Sequence, residues 1–176
     1  MFGSRRYFLG FGLAVAGGLL PAAARAALET PRSLSFLHTH TGETLSATYW
    51  ENGSFLPDGL AAIDHILRDF MTNTVVPINR PLLNLLSDLH RKLDSREPFQ
   101  IISAYRTPAT NAKLRSESTG VAKNSYHMKA MAIDIRLADV RLADLRRAAK
   151  ELARGGVGMY PASNFVHVDT GPVRYW

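Results

Sequence analysis

Helix and strand patterns follow one another along this chain without the regular strand–helix–strand rhythm of a parallel sheet, and that irregular order constrains the fold most. Residues 31–50 alternate apolar and polar side chains: Leu34 and Phe36 are answered by Leu45, Ala47 and Tyr49 across the turn Thr41-Gly42-Glu43. This predicts a β-hairpin, closed by Asn52-Gly53. Over residues 57–71 the spacing puts Leu60, Ile63, Ile66, Leu67 and Phe70 on one helical face. After a loop over 77–80, Pro81 suits the first turn of a second helix. That helix is expected to run to about Leu93, with Leu82, Leu85, Leu86, Leu89 and Leu93 inward. A strand over 99–105 leads into a short helix over 108–115, capped by Thr107 or Thr110. A polar loop over 116–125, a strand over 132–137 and a third long helix over 139–154, stopped by Gly155-Gly156, come next. Two short strands over 157–160 and 165–169, joined by a turn over 161–164, finish the pattern. The expected class is α+β, with a central, mostly antiparallel sheet flanked by helices.

Residues 1–26 stand apart from this pattern. Arg5-Arg6 opens them, an apolar Gly/Ala-rich stretch follows, and Ala24-Arg25-Ala26 supplies small residues at a cleavage site. That layout predicts a Tat-type signal peptide, a single domain over 27–176 and a periplasmic location. The apolar stretch is short for a membrane span and is interrupted by Gly17, Gly18 and Pro21, so no membrane partner is expected after cleavage. The whole chain carries a formal charge of +6; losing Arg5, Arg6 and Arg25 leaves 18 basic against 15 acidic residues, a net of +3. No dense basic run with interleaved aromatics occurs, which argues against nucleic acid. The chain has no cysteine, so a metal site must be built from His, Asp or Glu.

Two segments offer such a site: Ser125-Tyr126-His127, with Asp134 seven residues after the histidine, and Phe165-Val166-His167-Val168-Asp169. Two imidazoles and one carboxylate from separate strands can meet on one divalent metal and leave a position for water, whose pKa the metal lowers toward ~7. Taken singly, each residue also has an ordinary reading: Asp134 as a strand-end acid paired with Arg136, His127 as a loop histidine. His38 and His40 share a strand face and read as hairpin-surface residues. His65 and His90 lie on helices, and Arg141, Arg146, Arg147, Lys150 and Arg154 make a solvated basic helix face.

Ser103-Ala104-Tyr105-Arg106-Thr107, then Ser125-Tyr126-His127 with Asp134, then residues 155–161 (GGVGMYP) and 165–171 (FVHVDTG) together resemble the M15 zinc peptidases. The nearest likeness is to their bacterial murein endopeptidase K-type branch, which His40-Thr41-Gly42-Glu43 and residues 49–53 (YWENG) also resemble. The likeness covers about residues 33–174. It implies a Hedgehog/D,D-peptidase-like fold, zinc as cofactor, and hydrolysis of peptide cross-links in peptidoglycan, with stem peptides as the partner and a monomeric enzyme. By the same resemblance His127, Asp134 and His167 are the metal ligands. Arg106 polarises the substrate carbonyl or stabilises the oxyanion, and Ser125 and Tyr126 serve substrate binding.

The sequence departs from the family pattern in two places. Ala130 stands where many relatives have glycine three residues after the first histidine. Asn164 and Phe165 occupy the positions where relatives carry an acid or histidine as general base, and an amide cannot take a proton from water. Asp169, two residues beyond His167 on the same strand face, is the nearest acid in sequence and the candidate for the base or for the partner that orients His167. The expected function is a peptidoglycan endopeptidase acting at meso-diaminopimelate cross-links. Its rivals are a D,D- or L,D-carboxypeptidase and a non-catalytic wall-binding module of the same fold.

Overall fold

The computed structural model describes residues 30–176. The leader expected over residues 1–26 lies outside them. The elements are β1 (Arg32–His38), β2 (Thr44–Glu51), β3 (Ser54–Phe55), α1 (Pro57–Ile66), α2 (Arg80–Leu93), β4 (Phe99–Ser103), α3 (Pro108–Glu117), β5 (Ala132–Arg136), α4 (Leu142–Leu152), β6 (Gly156–Tyr160), β7 (Phe165–Asp169) and β8 (Arg174–Tyr175). Short 3₁₀ turns at Tyr126–Lys129 and Pro161–Ser163 precede β5 and β7. The strands form one sheet in the order β3-β2-β1-β4-β5-β7-β6-β8. Among the described residues only the β1–β4 and β6–β8 pairings are parallel, so the fold is α+β with a mixed sheet.

The core follows from the periodicities. β1 turns Leu34 and Phe36 inward, and α2 buries Leu82, Leu83, Leu85, Leu86 and Leu89 on one face. α2 packs on β1 and on α4, and α4 packs on β6 and β7 with Leu145, Ala148 and Ala149. Ile133 and Ile135 of β5 and Val166 and Val168 of β7 meet that layer. Strand alternation therefore leaves Asp134, His167 and Asp169 for the opposite face of the sheet.

Five elements differ from the sequence expectation. The helix expected over 57–71 ends at Ile66, because Asp69 folds the following segment into a turn. Its backbone bridges Thr74 and its carboxylate accepts from the N–H groups of Met71 (3.0 Å) and Thr107 (2.8 Å). Phe70 consequently leaves the core and stacks on His40, with ring centroids 4.7 Å apart. The strand expected to reach residue 105 stops at Ser103, since the Tyr105 N–H goes to Leu67 and the Arg106 N–H to His127. The last helix spans Leu142–Leu152 rather than 139–154 and ends on Ala153 with φ 51°. Gly155-Gly156 does not cap it: a Cβ at Gly155 would lie 1.8 Å from the Asp169 carbonyl oxygen, so the glycine permits close backbone contact at the edge of β6. β3 and β8, of two residues each, carry no periodicity that a sequence pattern could reveal.

Asp69 is 1% exposed and its pKa is lowered. Burial raises it, but hydrogen bonds from Thr110, Thr107 and Met71 outweigh that cost. Because the folded pKa lies below the unfolded value of about 3.9, the carboxylate stabilises the fold above that pH, and this contribution is lost as pH falls through the folded pKa. Asp69→Asn is expected to lower stability by about 1–3 kcal/mol at pH 7. In urea melts the gap between variant and wild type should narrow as pH falls below about 3.9 and through the lower folded pKa; a gap independent of pH would contradict the ionised role.

Candidate metal centre and active-site cleft

Strand register assembles the site. Ser103 of β4 pairs with Asp134 of β5, Asp134 with His167 of β7, and His167 with Gly158 of β6. One row across four strands thus carries an aspartate and a histidine side by side on the free face of the sheet. His127 reaches them from the 3₁₀ turn before β5, whose first N–H groups are capped by Ser125: its Oγ accepts from the His127 N–H at 3.3 Å. Ala130 ends this turn at φ 54°, in the left-handed region that glycine adopts most readily, and its methyl group is accommodated here.

The three side chains converge. His127 Nε2 lies 3.2 Å from His167 Nδ1 and 3.3 Å from Asp134 Oδ1, and His167 Nδ1 lies 2.8 Å from that same oxygen. A tetrahedral ion with bonds of about 2.0–2.2 Å holds its donors about 3.3–3.6 Å apart, close to these separations. The remaining ring nitrogens are already engaged. His127 Nδ1 sits 2.6 Å from the Ala104 carbonyl, so it donates, and His167 Nε2 donates to Asp169 Oδ2 at 2.9 Å. Each imidazole therefore presents its free nitrogen to the common centre, as metal-ligating histidines do. Among the described residues this is the one cluster of three or more His, Asp or Glu side chains with metal-binding spacing. The donor set, two imidazoles and a carboxylate, fits a divalent ion that takes nitrogen and oxygen.

The same contacts couple the three groups electrostatically. Burial pushes the His127 imidazole below its ordinary pKa, against the pull of Asp134. Burial acts on His167 in the same direction, yet hydrogen bonds to Asp134 and Asp169 outweigh it and the pKa is raised. Asp134 is desolvated too, but His127 and His167 hold its carboxyl far below the usual range.

Arg106 lies against this cluster. Its Nη2 donates to Asp134 Oδ2 at 2.9 Å and its Nε to Ser103 Oγ at 2.8 Å, which aims the guanidinium along the row of the site. The position follows from the chain path: Asp69 holds the Thr107 N–H, and Thr107 caps α3 through the Thr110 N–H. Asp169 is fully buried. Its Oδ1 accepts from the N–H groups of Gly156 and Gly171, and Arg174 bridges both of its oxygens. The carboxyl is held well below its ordinary pKa, since His167, Arg174 and the two N–H groups outweigh burial. Asn164, at the expected base position, is an exposed turn residue with φ 55°.

The cluster forms the floor of a cleft of about 610 Å³. Tyr126, Tyr160, Phe165, Arg174 and Trp176 form its walls, with the segment 118–125 along one side. Asn111 anchors that segment by donating to the Ala122 carbonyl at 3.1 Å. Trp176 reaches in because Gly158 has no side chain: a Cβ there would fall 2.4 Å from the indole. Asp134 is the one carboxylate lining this cleft among the described residues. Ser125, buried, and Tyr126, between Lys129 and Arg174, both line the cleft.

The other histidines stay outside. His38 Nδ1 accepts from the His40 and Thr41 N–H groups within the hairpin turn, and His90 contacts the Glu97 carbonyl. On α4 Arg147 pairs with Asp144, and beyond its C-terminus Arg154 pairs with Asp88. Arg174 had no signal in the sequence, because it follows Asp169 through a coil and meets it only when β8 aligns beside β6.

Known proteins resemble the chain over nearly its full length. The M15 peptidase family profile described as peptidoglycan L,D-endopeptidase MepK matches residues 26–176. Peptidoglycan L,D-endopeptidase MepK of Escherichia coli K12 is 42% identical over 176 residues, covering 98% of this chain and 97% of that protein. The Shigella flexneri MepK shows the same figures. The probable peptidoglycan L,D-endopeptidase MepK of Haemophilus influenzae is 42% identical over 168 residues, covering 94% and 90% of the two chains.

Proposed function

The chain belongs to the M15 peptidase family of peptidoglycan L,D-endopeptidases, and from that membership we propose that it is a zinc-dependent endopeptidase cutting meso-diaminopimelate cross-links of peptidoglycan. The observation that carries the reading is the convergence of His127 Nε2, Asp134 Oδ1 and His167 Nδ1 on the floor of a single cleft beside Arg106. The fold is taken to be of the Hedgehog/D,D-peptidase type, which the mixed sheet and its flanking helices suit.

In this reading His127, Asp134 and His167 would hold zinc, and the bound ion would supply Lewis acidity and make water more acidic in the cleft. Arg106, fixed by Ser103 and Asp134, stabilises negative charge as it develops on the carbonyl oxygen. Asp169 serves as the partner that orients His167 rather than as the base, since it is buried and accepts five hydrogen bonds. Tyr126 contributes a cleft wall for the stem peptide, and Ser125 supports the turn that carries His127. A complete ligand set within one chain suits a monomer.

A Tat-type signal over residues 1–26 and a periplasmic site of action complete the proposal. The family match begins at residue 26, where the leader is expected to end. Among the described residues no helix is long and apolar enough to cross a membrane.

Digestion of purified cross-linked peptidoglycan tests the reading. Dimeric muropeptides should disappear, the fragment masses should place the cut at the L,D bond between diaminopimelate residues, and chelator should stop the reaction. Loss of terminal residues alone would assign a carboxypeptidase. No cleavage by folded, zinc-loaded protein would overturn the enzyme.

A further inference from the structure

We infer that Arg174 is a positioning residue for the metal centre: it locks the Asp169 carboxylate, and through it the His167 ring that presents Nδ1 to the metal. The inference rests on the zinc centre proposed above.

The second row of the sheet provides the setting. Asp169 of β7 lies beside Gly156 of β6, and Gly156 pairs with Arg174 of β8. Arg174 Nη1 donates to Asp169 Oδ1 at 3.1 Å and Nη2 to Oδ2 at 2.7 Å, a planar fork matched to a carboxylate. The two backbone donors to Asp169, from Gly156 and Gly171, both reach Oδ1. Oδ2 has only Arg174 Nη2 and His167 Nε2. Without Arg174 both fixed donors hold Oδ1, and Oδ2 keeps only the imidazole it is meant to fix, so the carboxylate can turn about Oδ1 and carry the ring with it.

The surroundings are shaped for this pair. A Cβ at Gly156 would fall 2.5 Å from Asp169 Oδ2 and 2.6 Å from Arg174 Nη1, so any side chain there would displace one of the two partners. Tyr126 and Trp176 pack against the guanidinium, 5.0 and 5.1 Å from their ring centroids. An arginine in a substrate cleft could equally anchor a substrate carboxylate. Here Nη1 and Nη2 are already committed to Asp169 and to the Pro172 carbonyl, which favours positioning.

Zinc affinity, measured by competition with a chromophoric chelator, and the visible spectrum of the cobalt-substituted protein test the role on the full chain. Arg174→Ala should bind zinc about 10–100-fold more weakly and change the cobalt spectrum. Arg174→Met, which keeps the stem between Tyr126 and Trp176, should do the same and carries the test if the alanine variant does not fold. Arg174→Lys should recover part of the loss. A folded alanine or methionine variant with wild-type affinity and spectrum overturns the inference, even if its metal-free melting temperature falls. Failure of the wild-type protein to bind one zinc would instead overturn the metal centre itself.

Discussion

Alanine in place of His127 is expected to abolish stoichiometric zinc binding and to lower peptidoglycan cleavage by about 10³-fold or more, equivalent to about 4 kcal/mol of transition-state stabilisation. The reason is geometric. His127 Nε2 and the other two donors stand within 3.3 Å of one another, and removing one leaves an imidazole and a carboxylate that cannot enclose an ion alone. His127 is the better ligand to remove, because His167→Ala would also take a partner from the buried Asp169. The fold should survive: the change leaves a small cavity and frees the Ala104 carbonyl, at about 1–3 kcal/mol. Metal analysis after dialysis, together with muropeptide digestion, checks both parts. Full zinc content in the variant would remove His127 from the ligand set.

Arg106→Ala is expected to lower kcat by about 10²–10³-fold while the protein still binds zinc. Its guanidinium is anchored at two points, by Ser103 Oγ and Asp134 Oδ2, and is therefore pre-set beside the position where charge develops. Arg106→Lys should restore little, since a single ammonium cannot keep both anchors and still face the carbonyl. Steady-state kinetics on a soluble cross-linked muropeptide separate the roles. A rise in KM with unchanged kcat would make Arg106 a substrate-binding group. Loss of zinc from the variant would make it chiefly a support for Asp134.

Much of the fold was legible locally. The hairpin of residues 31–50, the leucine face of α2 and the strand at Phe165–Asp169 depend on periodicities of two and 3.6 that a linear sequence displays. The helix expected over 57–71 misled because its apolar spacing continues past Ile66, while the segment after it is held by hydrogen bonds that Asp69 accepts from residues as distant as Thr107. The two-residue strands were invisible for the opposite reason: they exist only as pairings.

The site divides in the same way. The types and order of His127, Asp134 and His167, the absence of cysteine, and the family resemblance they carry were fixed in the linear chain, because donor chemistry belongs to the residue itself. The orientation of that chemistry was not. Only the register of β5 against β7 sets Asp134 beside His167, and only the tertiary structure buries Asp169 and gives it hydrogen bonds at both oxygens, which is what favours the orienting role proposed for it. Alternation along a strand tells which face a side chain takes, but its depth and its remaining partners come from other strands. Arg174 shows the limit: its contact with Asp169 exists because β8 lies parallel to β6 across a glycine, a coincidence of three segments that tertiary packing alone produces.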